Sequence, residues 1–291
     1  MFKLVRAVVA DIEQSHTFIR ATIPYQIYRR VKSMVTKTVW AAAAAAIIII
    51  IVLASTYYYY NYASPSPGPS QLLTPTDQAD LNWAGYSVAS NFSDPKPVVT
   101  GVTGSWVVPE VQISQNDTFS AVWIGIGGTF GHTLIQTGTE QDCINGTLYY
   151  SAWYELLPNY SDTITTIEVS PGDTITASIN LVNSAENLWS VYISDTSTGQ
   201  SFNQTFSYNS SRLSAEWVVE RPDVDNKLSQ VANFGSVTLS NCKATMANEV
   251  EAFGYFPSIR MFMYNMRGTR LADVSNYSSD GSSFTVEYLT S

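Results

Sequence analysis

The chain has 291 residues, of which 13% are charged, about half the roughly 25% usual for a soluble globular protein. Fifteen Lys and Arg stand against 24 Asp and Glu, giving a formal net charge of −9, and 45% of the residues are apolar. That apolar content excludes disorder over the whole chain. The acidic balance argues against a protein that grips nucleic-acid phosphates with clustered cations.

The charges are divided unevenly along the chain. Residues 1–37 hold seven basic residues, Lys3, Arg6, Arg20, Arg29, Arg30, Lys32 and Lys37, against Asp11 and Glu13. No charge occurs between Lys37 and Asp77, and Val39 to Ala54 is an unbroken apolar run of 16. Residues 38–60 would span roughly 34 Å as a helix, enough for a hydrocarbon core of about 30 Å. Trp40 and Tyr57 to Tyr60 fall at its ends, where amphipathic rings settle at the membrane interface. A transmembrane helix acting as an uncleaved signal anchor is therefore expected over 38–60, with 1–37 a cytoplasmic basic segment and the rest extracellular. A cleaved secretory signal is the alternative.

Residues 61–76 form a Pro/Ser-rich linker of semi-extended character. Seven N-x-S/T sequons, at Asn91, Asn116, Asn145, Asn159, Asn203, Asn209 and Asn276, all lie beyond the anchor and make a glycoprotein possible. Cys143 and Cys242, also beyond it, are able either to form one disulfide or to stay as buried thiols. Residues 77–291 read as strands throughout, in runs such as VVTGVTGSWVV, FSAVWIGI, DTITASINLV and FTVEYL, rich in Val, Ile, Thr and aromatics. Turn signals such as Asn145-Gly146 and Pro171-Gly172-Asp173 separate them. The expectation is one all-β domain, an antiparallel two-sheet β-sandwich of jelly-roll or lectin-like kind.

Elimination narrows the chemistry. His16 falls in the basic segment, so a Ser-His-Asp triad would have to be built on His132, and no G-x-S-x-G elbow is present. His132 with Glu140, Asp142 and Cys143 fits no metal-ligand spacing. Asp223-x-Asp225-Asn226 offers oxygen ligands, but a solvated loop explains it equally. No metal and no cofactor is expected. Carboxylates and amides remain. Period 2 puts Gln136 on one face of its segment, and puts Glu216, Val218 and Glu220 opposite Ala215, Trp217 and Val219. The second face reads as core, which leaves Glu220 on an open sheet surface.

Six short motifs then occur in a characteristic order: Asn82-Trp83-Ala84-Gly85, Gly104 to Pro109 (GSWVVP), Ala121 to Gly128 (AVWIGIGG), Leu134 to Gly138 (LIQTG), Ala152 to Glu155 (AWYE) and Ala215 to Glu220 (AEWVVE). In this order they resemble the glutamic peptidases, or eqolisins, over about Asn82 to Gly235 and more loosely to Tyr288. The resemblance implies a β-sandwich acid endopeptidase acting on protein or peptide substrates without metal or covalent intermediate. It maps a catalytic pair onto Gln136, as oxyanion stabiliser, and Glu220, as general base and then acid. Trp123, Glu155 and Trp83 fall on positions that line the cleft or orient the glutamine, with core packing or surface charge as their rival roles. Gly127 stands where the family often has Asp, so the orientation of Gln136 is expected from Glu155 or a backbone group. Cys143 and Cys242 do not match the cysteines of the fungal members. The alternatives to a peptidase are a carbohydrate-binding sandwich and a catalytically inactive surface protein.

Overall fold

The computed structural model describes residues 71–291. The expected anchor over 38–60 and the preceding basic segment lie outside the described residues. Among the described residues no helix is long and apolar enough to cross a membrane.

Eighteen strands follow one another. The first six are β1 (Thr76–Asp80), β2 (Trp83–Ala89), β3 (Val99–Val107), β4 (Ala121–Ile126), β5 (Ile135–Ile144) and β6 (Thr147–Leu156). Next come β7 (Asp162–Thr163), β8 (Thr174–Asn183), β9 (Leu188–Asp195), β10 (Gln200–Ser207), β11 (Ser214–Glu220) and β12 (Asp223–Val224). The last are β13 (Lys227–Leu228), β14 (Ser236–Met246), β15 (Glu249–Ala252), β16 (Ser258–Tyr264), β17 (Arg270–Val274) and β18 (Phe284–Tyr288).

The all-β expectation holds, with one refinement. The two layers of the sandwich are not separate sheets but one hydrogen-bonded path, β10-β9-β8-β3-β14-β18-β17-β16-β2-β11-β4-β5-β6-β7, continuous through the pairing of β18 with β17. Pairing along this path is antiparallel, and β1 alone adds in parallel, on β16. The chain already contacts the sandwich just before β1, where the Leu73 N–H donates to the Gly254 carbonyl at 2.9 Å. Two-residue turns close several hairpins. Asn145-Gly146 between β5 and β6 has positive φ at both residues (49° and 72°), as a type I′ turn requires. Asp225-Asn226 does the same between β12 and β13, so that pair is a hairpin turn.

The main core fills the space between the layers, with Tyr86, Trp106, Trp189, Trp217 and Phe253 among its largest members. Two indoles cross it as polar ties. Trp106 Nε1 donates to Thr139 Oγ1 at 3.0 Å, and Trp217 Nε1 to the Thr103 carbonyl at 2.7 Å. Trp217 is thus core, as its strand period indicated, but the opposite face of β11 is not open. Glu216 and Val218 are fully buried, because that face carries a second small core of Trp123, Leu134, Trp153, Val218, Ile259 and Met261. Both cysteines are free and buried. They sit on strands that are not paired, and each thiol is satisfied locally, Cys143 Sγ with the Ser114 carbonyl and Cys242 Sγ with the Ser240 carbonyl, each at 3.6 Å. No disulfide joins them, and burial raises the Cys242 thiol pKa well above its usual value.

Candidate active site

Strand register arranges the outer face of the second layer in rows across β2, β11, β4, β5 and β6. One row runs Ser87, Glu216, Gly125, Gln136, Glu155; the next Gly85, Val218, Trp123, Gly138, Trp153; the third Trp83, Glu220, Ala121, Glu140, Ser151. The expected pair therefore shares a face, two strands apart. An open cleft of about 410 Å³ connects the two residues, lined by Gln136 and Glu220 together with Trp83, Trp153, Glu155 and Tyr160.

Glu220 closes β11 and is half-buried. Its Oε2 accepts from Trp123 Nε1 at 2.6 Å and its Oε1 from Asn82 Nδ2 at 3.2 Å. Asn82 is held in turn by the β1–β2 turn, where Asp80 Oδ1 accepts the backbone N–H of both Asn82 and Trp83 at 2.9 Å. Burial pushes the Glu220 pKa up to about 7, against the pull of the Trp123 and Asn82 donors and with a smaller push from the Glu155 charge. The Trp83 indole N–H does not reach hydrogen-bonding geometry and is left without a partner. Its ring stands edge-on to Trp123, with centroids 5.1 Å apart. The Trp123 indole thus lies beneath the carboxylate, and Trp83 lines the cleft.

Gln136 is 5% exposed. Its Nε2 donates to Glu155 Oε2 at 2.5 Å, and its Oε1 is buried without a partner. Glu155, on β6, has its pKa raised by burial and drawn back by that hydrogen bond. Glu155 thus makes the contact to Gln136 that Gly127 cannot. Gly127 has φ of +107°, and a Cβ there would meet the Thr133 carbonyl oxygen at 2.7 Å. Nearby Glu216 is fully buried, accepting from the Thr129 N–H and hydroxyl at 3.1 and 2.9 Å. It braces the loop after β4.

Two site members carried no assigned role in the sequence. Asn82 lies inside a recognisable motif, yet an amide before a tryptophan has no periodic signature. Trp153 pairs across Gly138 with Trp123 and is visible only once the register is known. His132 is exposed on the loop before β5 while Cys143 is buried, so these two do not converge with Glu140 and Asp142. The cleft is acidic: Glu140, Glu155, Glu220 and Asp223 line it, and among the described residues no Lys, Arg or His does. Adjacent Arg221 turns away, donating to the Leu81 carbonyl at 2.6 Å.

Comparison with known proteins fits this geometry. Aspergillopepsin-2 of Aspergillus niger is 30% identical over 196 residues, 59% of this chain and 67% of that protein. Scytalidopepsin B of Scytalidium lignicola is 30% identical over 147 residues, 48% of this chain and 52% of that protein, so the match spans about half its length. Among solved structures, aspergilloglutamic peptidase from Aspergillus niger superposes with a TM-score of 0.53 at 30% identity, covering 59% of this chain and 99% of that one. Scytalido-glutamic peptidase bound to a transition-state analogue inhibitor superposes with a TM-score of 0.60 at 23% identity, covering 72% and 99%. A family model described as the Peptidase A4 family matches residues 81–288, and the chain belongs to that family, the glutamic peptidases, which are hydrolases.

Proposed function

We propose that the protein is an endopeptidase working on the acid side of neutrality, with Glu220 as general base and acid and Gln136 as oxyanion donor. The observation that carries this reading is the Glu220 carboxylate, fixed by Trp123 and Asn82 on the same cleft that Gln136 lines. Ionised Glu220 takes a proton from water as the water oxygen bonds to the scissile carbonyl carbon. The carbonyl electron pair moves onto oxygen, where the Gln136 amide donates a hydrogen bond. Collapse of the tetrahedral species breaks the C–N bond, and Glu220 returns its proton to the leaving amine. A fixed neutral donor at the oxyanion is worth about 3 kcal/mol. An unperturbed glutamate titrates at about 4.3. A pKa of about 7 makes Glu220 a stronger base, while its ionised fraction falls about tenfold per pH unit below that value.

The test is cleavage of an unfolded protein by the full chain in detergent, between pH 3 and 8 with a chelator present. Glu220→Gln should lose about 10²–10⁴-fold in kcat/KM, and Gln136→Ala about 10²–10³-fold. Wild-type rates in both variants would displace the pair. We also propose that residues 38–60 anchor the chain and hold the sandwich outside the membrane. The basic stub, the uncharged span and the exposure of all seven sequon asparagines support this. Cleavage of the sandwich by protease added to intact cells, with residues 1–37 protected, is the outcome expected.

A further inference from the structure

One contact in the cleft has the wrong polarity for the role just proposed. Gln136 gives its Nε2 to Glu155, while its Oε1 is buried with no partner. A substrate carbonyl oxygen brought to that Oε1 would meet acceptor against acceptor. The 2.5 Å separation from Glu155 Oε2 suits an O–H···O bond, about 2.5–3.0 Å, better than N–H···O, about 2.7–3.2 Å. A glutamine amide turned by half a rotation about its last torsion fills the same volume, and that torsion is two-fold and soft.

We propose that Glu155 is a positioning residue whose proton turns the Gln136 amide, so that the oxyanion donor faces the cleft only when Glu155 is protonated. This rests on the reading of Gln136 as that donor. With Glu155 ionised, its oxygen accepts Nε2 and the stranded acceptor remains. With Glu155 protonated, its O–H donates to Oε1, and the NH₂ takes the place of the unpartnered atom. The buried acceptor is thereby satisfied, and a donor takes its place on a residue that lines the cleft.

The surroundings favour that proton. Glu220 on β11 shares the cleft with Glu155, and the two carboxylate charges oppose one another. Glu140 on β5, Asp223 on β12 and Tyr160 line the same cleft, Asp162 on β7 lies opposite the neighbouring Tyr154, and no cation among the described residues lines it to offset them. Burial pushes Glu155 in the same direction. The competent enzyme then holds one proton on Glu155 and none on Glu220, so kcat/KM is bell-shaped in pH, with limbs that belong to the coupled pair.

The experiment is the pH profile of kcat/KM for the full chain and for Glu155→Gln. A glutamine keeps the size and hydrogen-bonding capacity but does not titrate. Wild type should fall about tenfold per pH unit on the alkaline side. Glu155→Gln should lose that limb and level off at high pH while keeping an acid limb that reports Glu220. Persistence of the alkaline limb at the same pH in Glu155→Gln overturns the proposal. The side-chain amide NMR signal of Gln136, assigned through Gln136→Ala, gives a second readout. It should shift with pH in wild type and not in Glu155→Gln, and a pH-independent wild-type signal also overturns the proposal. Wild-type rates in Glu220→Gln and Gln136→Ala would instead signal failure of the catalytic pair itself, whatever Glu155 does.

Discussion

At the scale of single residues, the donor set of Glu220 decides when it can serve as the proposed base. Trp123 Nε1 at 2.6 Å is its shorter contact, and a hydrogen bond to the charged form is what opposes the burial that raises the pKa. Such charge-assisted bonds contribute roughly 1.5–3 kcal/mol, or about one to two pKa units. Trp123→Phe keeps an aromatic ring against Trp83 and Gly138 while deleting the N–H. Losing a donor to the ionised form raises the Glu220 pKa further above about 7, so the acid limb of kcat/KM should move up by about one unit. At a fixed pH of 5 the rate should fall about tenfold or more. A limb left in place would mean that the indole N–H does not tune the base. Trp123 was legible as a site residue through its motif, but its duty was not. Only the pairing of Val218 with Trp123 and of Glu220 with Ala121 brings the ring beneath the carboxylate.

At the scale of elements, the site depends on glycine rows in β4 and β5. Gly138 stands between Trp123 and Trp153 in the middle row. A Cβ there would lie 2.3 Å from the Val122 carbonyl oxygen and 2.6 Å from Trp123 Cβ, so β4 and β5 would have to separate. Gly138→Ala should therefore cost about 1–3 kcal/mol, a fall of roughly 2–12 °C in Tm for a domain of this size, and should slow turnover by displacing Trp123. Gly131→Ala, where nothing lies within 4 Å, should leave Tm unchanged. Equal melting of the two variants would show that the rows tolerate repacking. The strands themselves were readable from composition and turns, and Asn145-Gly146 marked its hairpin directly. The misreading lay in the second face of β11. A period-2 pattern identifies two faces, and a polar residue at every other position ordinarily means solvent. Here Glu216 is buried among hydrogen bonds and Val218 under tryptophans. A functional sheet face with its own small core defeats that rule. The parallel addition of β1 was equally hidden, since its TDQAD sequence carries no strand signature.

At the scale of the whole molecule, the scarcity and placement of charge set how the sandwich responds to acid. Residues 61–291 hold 22 acidic and eight basic groups, so protonating every carboxyl leaves little self-repulsion. More decisive are the carboxyls whose pKa folding raises. Glu220 and Asp142 move to about 7, both chiefly through burial, and Glu155 and Glu216 move up for the same reason. Each of these groups binds its proton more tightly folded than unfolded, so by linkage folding is most favoured below the unfolded value. That stability is lost as pH rises from about 4 toward 7. Asp280 and Asp77 run the other way, lowered by hydrogen bonds to Ser278 and Arg260 respectively, so their contribution fades only below the ordinary aspartate range. The sandwich should consequently be most stable near pH 4–5, with Tm falling as pH rises through 5 to 8, the reverse of a protein held by carboxylate ion pairs. Thermal unfolding of the full chain at pH 4.5, 6 and 8 measures this, and Glu220→Gln and Asp142→Asn should each flatten the slope. A Tm that climbs with pH would mean that these carboxyls ionise freely in the fold, and that acid tolerance comes from low charge alone.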